Sequence, residues 1–228
     1  MPEPITRGDM SNFILMGLSD DDFGLLQPHF ETIRLPVHKA LETRNRKIRT
    51  VYFMESGFAS VVANGATQPS IEVGLIGREG MSALAVVLGA DRPVHETYMQ
   101  AAGSGLCLAA DSLRGAIDKS ASLHRELLKA AYAFQTQVTQ TALANGRSKI
   151  EERLARWLLM ADDRIDGDEL PLTHEFLSLM LGVQRSGVTL AVQALEQDGL
   201  IAARRGRNSI LNRARLERKS NGTYTPQK

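Results

Sequence analysis

Three arginines crowd one short stretch near the C-terminus of this 228-residue chain: Arg204, Arg205 and Arg207. A surface that faces only water gains nothing from concentrating like charges, whereas a row of phosphates neutralises them. Residues 173–219 carry eight Lys and Arg against four Asp and Glu, although the net charge of the whole chain is only +1. The cluster therefore predicts phosphate binding by a locally basic segment, and not a general attraction to polyanions.

A second polar set lies just upstream, on a predicted helix that follows Gly182. Val188, Val192 and Leu195 recur at steps of four and three and define the buried face of this helix. The opposite face carries the candidate readers of DNA bases, which are Arg185, Ser186, Thr189 and Gln193. Arginine can donate two hydrogen bonds to guanine, and hydroxyl groups bind base edges or phosphates. This face therefore predicts direct contact with bases.

Both sets of polar residues must be positioned by secondary structure, and the flanking residues predict the helices and strands that do so. Thr173 can cap a short helix, and Gly182 permits a sharp turn into the second helix. Further on, LIAARR and SILN predict two strands joined by a turn at residues 206–208. Helix, turn, helix and hairpin form the motif that places a recognition helix in the major groove. The candidate phosphate-binding residues are Thr173, Arg204, Arg205 and Arg207.

Upstream, residues 32–110 alternate short apolar runs with turn signals. TVYFM, ASVVA, IEVGLI, ETYMQA and LCLAA are separated by SG, NG, GREG and GSG, a rhythm typical of a small all-β unit. Ser19 can cap a short helix that precedes this unit. We therefore predict a small β-roll or barrel domain with an N-terminal helix over residues 1–110.

Residues 111–164 contain no proline and predict long helices. One apolar stripe in them suits core packing, dimerisation or both, and its periodicity does not separate these roles. Its members are Leu123, Leu127, Ala131, Phe134, Val138 and Thr141. Asn145-Gly146 predicts a hinge, and SKIE, from Ser148, predicts the capping box of a new helix. We therefore predict helices over 111–146, a DNA-binding domain over 147–219 and a disordered polar tail over 220–228.

With these elements in place, LTHEFLSLMLGVQRSGVTLAVQALEQDGLIAARRGRNSILN resembles the winged helix-turn-helix of the CRP/FNR superfamily of bacterial transcription regulators. VYFMESGFASVV and GREGMSALAVVLG resemble parts of its β-roll effector domain, so the resemblance covers about residues 20–215. It implies an α+β fold with an N-terminal cyclic-nucleotide-binding-like β-roll, a long dimerisation helix and a C-terminal winged helix-turn-helix domain. It also implies a homodimer on palindromic double-stranded DNA, with RNA polymerase as a further partner.

Two departures from the family concern the DNA sequence that is read and the effector that is bound. Ser186 and Leu190 stand where the cyclic-AMP receptor has a glutamate and a second arginine, so a different DNA site is expected. The resemblance also marks a possible effector pocket formed by Arg78, Glu79, His95 and Glu96. Its last two residues replace the Arg-Ser pair that clamps the cyclic phosphate, and a carboxylate repels a phosphate. Cyclic AMP is therefore not the expected effector.

Other functions find less support in the residues. The single cysteine, Cys107, excludes an iron-sulfur cluster held by four thiolates, and no cofactor is predicted. The five histidines lack close ligand spacing, which argues against a cupin-like metal enzyme. No P-loop, GxGxxG, HExxH or GxSxG motif is present, so no enzyme activity is predicted. A ligand-independent DNA-binding or interaction protein with a β-roll scaffold stays open as the alternative.

Two further features concern charge and location. The run TRNRKIR, residues 43–49, has four positive side chains and is read as a solvated loop, with contact to an anion or to RNA polymerase as the alternative. The N-terminal residues lack the basic start and apolar run of a secretion signal, and no stretch approaches 18 uninterrupted apolar residues. We therefore expect a soluble cytoplasmic protein.

Overall fold

A computed structural model of the chain describes residues 8, 10–64, 70–170, 172–204 and 207–226. Its helices are α1 (Phe13–Gly17), α2 (Asp20–Leu26), α3 (Leu84–Val87), α4 (Ala110–Lys119), α5 (Ala121–Arg147), α6 (Ile150–Asp162), α7 (His174–Leu181), α8 (Arg185–Gln197) and α9 (Arg213–Lys219). Its strands are β1 (Glu31–Leu35), β2 (Ala40–Glu42), β3 (Thr50–Met54), β4 (Phe58–Ala63), β5 (Ile71–Ile76), β6 (Glu96–Ala101), β7 (Gly103–Ala109), β8 (Ile201–Arg204) and β9 (Arg207–Ile210).

The chain divides into two compact units. The first comprises Met1–Val61 and Ile76–Gln135, and the second comprises Val62–Leu75 and Thr136–Lys228. The boundary therefore crosses strands β4 and β5 and helix α5, each of which contributes to both units.

The first unit contains the predicted β-roll. Strand β7 lies between β1 and β3 and pairs with both in antiparallel register, so that Cys107 faces Glu31 on one side and Tyr52 on the other. Strand β2 pairs with β6 in the same antiparallel sense. A Cβ at Gly103 would lie 2.0 Å from the carbonyl oxygen of Ser56, so only glycine lets β7 approach the turn between β3 and β4.

The core of the first unit joins the strands to the helices around them. Phe30 packs edge-to-face on Phe53, with 5.9 Å between ring centroids. Leu123 and Leu127 of α5 are fully buried in the same core. The first part of the predicted α5 stripe is therefore used for packing within the chain.

In the second unit, helix α6 is the central support. Leu154, Trp157 and Leu158 are buried, as their spacing predicts. The helix begins one residue later than the SKIE pattern predicts: Lys149 is the N-cap, and the Glu152 carboxylate accepts its backbone N–H at 3.0 Å. The predicted hinge is also displaced, because α5 continues through Asn145-Gly146 and ends at Arg147.

Two polar contacts join β5 to helices of the second unit. The side-chain amide of Gln137 accepts the Leu75 N–H at 2.6 Å and donates to the Leu75 carbonyl at 3.1 Å. The Trp157 indole donates to the Glu72 carboxylate at 2.5 Å. All four residues are buried, so both contacts satisfy groups that would otherwise be costly to remove from water.

Residues 220–226 depart from the predicted disordered tail. The buried guanidinium of Arg156 donates from Nε to the Thr223 carbonyl at 2.9 Å, and burial lowers the pKa of Arg156 to about 10. The Tyr224 hydroxyl donates to Asp163 at 2.7 Å. A polar composition predicts disorder only where the polar groups lack partners, and here α6 provides them.

Candidate nucleic-acid interface

The turn between α7 and α8 has the predicted form. The Thr173 hydroxyl caps α7 by accepting the Phe176 N–H at 3.1 Å. Gly182 ends the helix with a φ of +60°, and the Val183 N–H returns to the Ser178 carbonyl at 3.0 Å. A Cβ at Gly182 would also lie 2.8 Å from the Ile71 side chain, so the position favours glycine for its backbone angle and for its surroundings.

Helix α8 is held by an apolar face whose members are Val188, Ala191, Val192 and Leu195, all of them buried. On α7, Phe176 meets the Trp157 ring of α6 edge-to-face at 5.6 Å. Helices α6 and α7 thus fix the orientation of α8 through close packing. A helix that reads DNA requires such rigid packing, because a loosely held side chain does not discriminate between bases.

The opposite face of α8 carries the predicted base readers. Arg185, Ser186 and Gln193 are exposed, and the first turn holds no acidic residue. Thr189 is half-buried: its hydroxyl donates to the Arg185 carbonyl at 3.1 Å and lies 3.0 Å from His174 Nδ1. The structure therefore brings these four residues onto one face, with the Thr189 hydroxyl engaged inside the domain.

Leu190 belongs to the same face and was not among the predicted site residues. Its side chain is 66% exposed, although it lies between buried Val188 and Ala191 along the helix. Helical spacing from Ser186 and Gln193 would have placed it on the outer face. An exposed leucine there suits the methyl group of thymine, which is the apolar feature of the major groove.

The hairpin beside α8 is formed by β8 and β9, which pair so that Arg204 faces Arg207. The predicted turn at residues 206–208 is therefore wrong in part, because Arg207 and Asn208 lie in β9. Asn208 is buried, and its backbone exchanges hydrogen bonds with Leu170 at 2.8 and 2.9 Å. This bridge before α7 draws both residues into extended structure.

The candidate phosphate ligands differ in their surroundings. Arg204 is exposed at the end of β8, whereas Arg205 lies outside the described residues. Arg207 is paired with Glu169, with 2.5 Å between Nη1 and Oε2. Both partners are mostly exposed, and such pairs contribute little to stability, so a phosphate can replace the carboxylate. Thr173 is exposed at the start of α7.

Other cations of this segment serve the domain itself. Arg213 pairs with Asp162 at 2.6 Å and also with Asp163, and it is bonded to the Tyr224 hydroxyl. Lys219 pairs with Asp198 at 3.1 Å. The positive charge available to a ligand is therefore smaller than the composition indicates.

Three of the predicted effector residues form hydrogen bonds to backbone groups of different segments. Arg78 Nε donates to the Glu55 carbonyl at 2.8 Å, and the Glu79 carboxylate accepts the Gly77 N–H at 3.1 Å. Glu96 instead accepts the Arg44 N–H at 3.2 Å, and His95 is half-buried beside it in the chain. Within the described ranges, no three His, Cys, Asp or Glu side chains are grouped to hold a metal ion.

Comparison with known proteins agrees with this geometry. Residues 152–219 match the family model of the Crp-like helix-turn-helix domain. A CRP/FNR-family transcriptional regulator from Eubacterium rectale has 17% identity and a TM-score of 0.73, over 93% of this chain and 99% of its own. TTHB099, a CRP-family transcriptional regulator from Thermus thermophilus, has 18% identity and a TM-score of 0.70, over 86% and 100%. FixK2 from Bradyrhizobium japonicum has 16% identity and a TM-score of 0.69, over 83% and 96%.

The C-terminal region thus matches the Crp-like helix-turn-helix domain, and the chain has the fold seen in CRP/FNR-type transcription regulators. Both the resemblance and the fold class predicted from the sequence are confirmed. No curated protein matches the chain. Across the part of the chain that the structure describes, no helix has the length and apolar character needed to cross a bilayer.

Proposed function

We propose that the protein is a sequence-specific DNA-binding transcription regulator that acts as a homodimer, with α8 in the major groove. The observation that carries this proposal is the outer face of α8, which is exposed and polar, while its inner face is packed on α6 and α7. A helix surface that is exposed and yet rigidly held suits recognition of a second molecule.

In this arrangement, α8 reads the base sequence, and the hairpin positions the domain on the DNA backbone. Arg185 donates two hydrogen bonds to guanine, with Ser186 and Gln193 at neighbouring base edges. Thr189 supports Arg185 through its bond to the Arg185 carbonyl, and its contact with a base is secondary. Arg204, Arg205 and Arg207 hold phosphates beside the groove, together with Thr173 at the N-terminus of α7.

The dimer is proposed to form through α5, on a face other than the predicted stripe. Leu123, Leu127 and Ala131 are buried within the chain, as is Thr141, so they are not available to a second copy. Phe134 and Val138 are half-buried.

A different side of α5, about 100° round the helix from the stripe, is exposed and apolar at several points. Tyr132 is 72% exposed, Leu143 51% and Leu128 39%. Residues 130–146 contain no charged side chain, which is unusual for a long exposed helix. Positions 128, 132, 135, 139 and 142 follow the alternating steps of four and three that a two-helix seam requires. We therefore assign the dimer contact to this face.

The test of the proposed function is in vitro selection of duplex DNA from a random pool by the full-length protein. A homodimer with two copies of α8 should enrich an inverted repeat whose half-sites lie about 10 to 11 base pairs apart, one helical turn. Enrichment of no inverted repeat would contradict the proposal. Activation of transcription by contact with RNA polymerase would then be tested on the selected site.

A sharper expectation concerns Leu190. If its side chain covers a thymine methyl, replacing that thymine by deoxyuridine should weaken binding of the wild-type protein about fourfold per half-site, because burying one methyl contributes about 0.8 kcal/mol. Leu190→Ala should bind thymine and deoxyuridine sites equally. The measurement is fluorescence anisotropy on the selected duplex and its deoxyuridine version.

The matched control for Leu190 is Leu211→Ala, which removes another exposed leucine of the same domain. This variant should keep the wild-type response to deoxyuridine. A response that persists in Leu190→Ala would show that the methyl group is read by another residue.

A further inference from the structure

A basic pocket of about 530 Å³ lies in the first unit. It is formed by the loop that connects β2 to β3, by the first residues of β3 and by one residue from the segment before β6. The cationic side chains that line it are Arg46, Lys47, Arg49 and Arg92. Thr43, Asn45, Thr50 and Tyr52 add hydroxyl and amide groups to the lining.

The loop that carries these cations is fixed by backbone hydrogen bonds to the segment that carries Arg92. The Asn45 N–H donates to the Pro93 carbonyl at 2.9 Å, and the Ile48 N–H donates to the Asp91 carbonyl at 2.8 Å. Arg92 itself donates from Nη1 to the Asn45 carbonyl at 2.9 Å. Asn45 has a φ of +60°, which asparagine tolerates, and Ile48 is buried beneath the loop. The backbone positions that carry the cations are therefore fixed before any ligand arrives.

Their charges are poorly compensated within the described structure. Arg46, Lys47 and Arg49 make no ion pair with any residue that the structure describes. Arg92 lies 3.7 Å from Asp91, in a pair that is more than half exposed and therefore weak. The single acidic residue of the lining, Glu42, is buried and accepts the Ala83 N–H at 2.9 Å. The pocket is thus a concave, net-positive site.

We propose that this pocket binds a small molecule that carries two or more phosphate groups. Guanidinium groups bind phosphate oxygens in a bidentate manner, and four cations around one cavity exceed what a single phosphate neutralises. The volume lies within the range of about 300–1,000 Å³ that small-molecule sites occupy. Because the cations line a recess, a compact polyanion reaches several of them at once.

The test is isothermal titration of the full chain, without DNA, at about 0.1 M ionic strength, where charges farther apart than about 10 Å are screened. The probes are orthophosphate, pyrophosphate, inorganic tripolyphosphate and a nucleoside triphosphate. We expect one tripolyphosphate per chain, with affinity falling to pyrophosphate and then to orthophosphate. Equal affinity for tripolyphosphate and the nucleoside triphosphate would assign recognition to the phosphates, and tighter binding of the nucleotide would add its base and sugar as ligand groups.

Arg46→Gln combined with Arg49→Gln should weaken tripolyphosphate binding at least about tenfold, because each loses charge-assisted hydrogen bonds. The matched control is Arg34→Gln combined with Lys119→Gln, which removes the same charge at exposed positions of the same unit. The control should bind like the wild type. Arg92→Gln provides a second, independent pocket variant, and thermal unfolding verifies that each variant folds.

Absence of saturable binding by every probe would overturn the proposal, as would equal weakening by the pocket and control variants. The titration contains no DNA, so its failure would leave the proposed DNA-binding function untouched. Failure of the selection experiment would equally leave the pocket result standing.

Discussion

Leu128→Glu combined with Tyr132→Glu is expected to convert the protein into a monomer and to weaken its binding to a two-half-site duplex by a factor on the order of 10²–10⁴. Both side chains are exposed in the single chain, so the fold should tolerate the change. At a dimer seam, however, the new carboxylates would be buried without partners, which costs several kcal/mol. Loss of the dimer removes the effective concentration that joins the second half-site to the first.

The measurements are sedimentation equilibrium for the oligomeric state and anisotropy on duplexes with one and two half-sites. Binding to a single half-site should change little. Ala133→Glu is the control for Tyr132→Glu alone, because it adds the same charge at an exposed position about 100° further round the helix. A double variant that stays dimeric, or a control that dissociates equally, would refute the assigned face.

Arg185→Ala is the second large effect. Loss of a bidentate contact to guanine costs about 1–3 kcal/mol at each half-site, which corresponds to roughly 5- to 150-fold in affinity. The preference should disappear at one base pair per half-site and persist at the others. Arg185 is exposed and lies at the first turn of α8, so its removal should leave the free energy of unfolding nearly unchanged.

Arg204→Ala is the matched comparison, since it removes an exposed arginine of the hairpin. It should weaken binding to all sequences alike and reduce the slope of log K against log salt by about one for each lost phosphate contact. Anisotropy on the selected site, on single-base variants and at several salt concentrations separates the two roles. If both variants lost affinity equally and left the base preference unchanged, the division between reading and positioning would be wrong.

The helix-turn-helix was readable from the chain because its determinants are local. Gly182 must adopt a positive φ after so short a helix, and Val188, Val192 and Leu195 follow the period of an α-helix. The hairpin was predicted less well, since Arg207 and Asn208 were placed in a turn. Their extended conformation depends on a bridge between Asn208 and Leu170. Leu170 lies 38 residues earlier in the sequence, so no local pattern predicts this pairing.

The α5 stripe shows why periodicity is incomplete. An apolar repeat predicts that one face of a helix is buried, but the surface that buries it depends on the tertiary structure. In this fold Leu123 and Leu127 belong to the core of the first unit, whereas Leu128 and Tyr132 are exposed. The tail shows the same effect in reverse, because the polar residues Thr223 and Tyr224 are ordered by groups on α6.

The amino-acid sequence determined the class of fold, the order of the elements and the clustering of the arginines, since each follows from propensity, period and charge over a few residues. Tertiary structure decided which of those arginines form ion pairs within the domain and which are exposed to a ligand. Arg213 pairs with Asp162 and Asp163, whereas Arg185 and Arg204 are exposed. Only the tertiary structure brings Arg92 to the carbonyl of Asn45, which lies 47 residues earlier in the sequence. Hydrogen bonds between distant segments set the positions of such groups, and no local pattern encodes them.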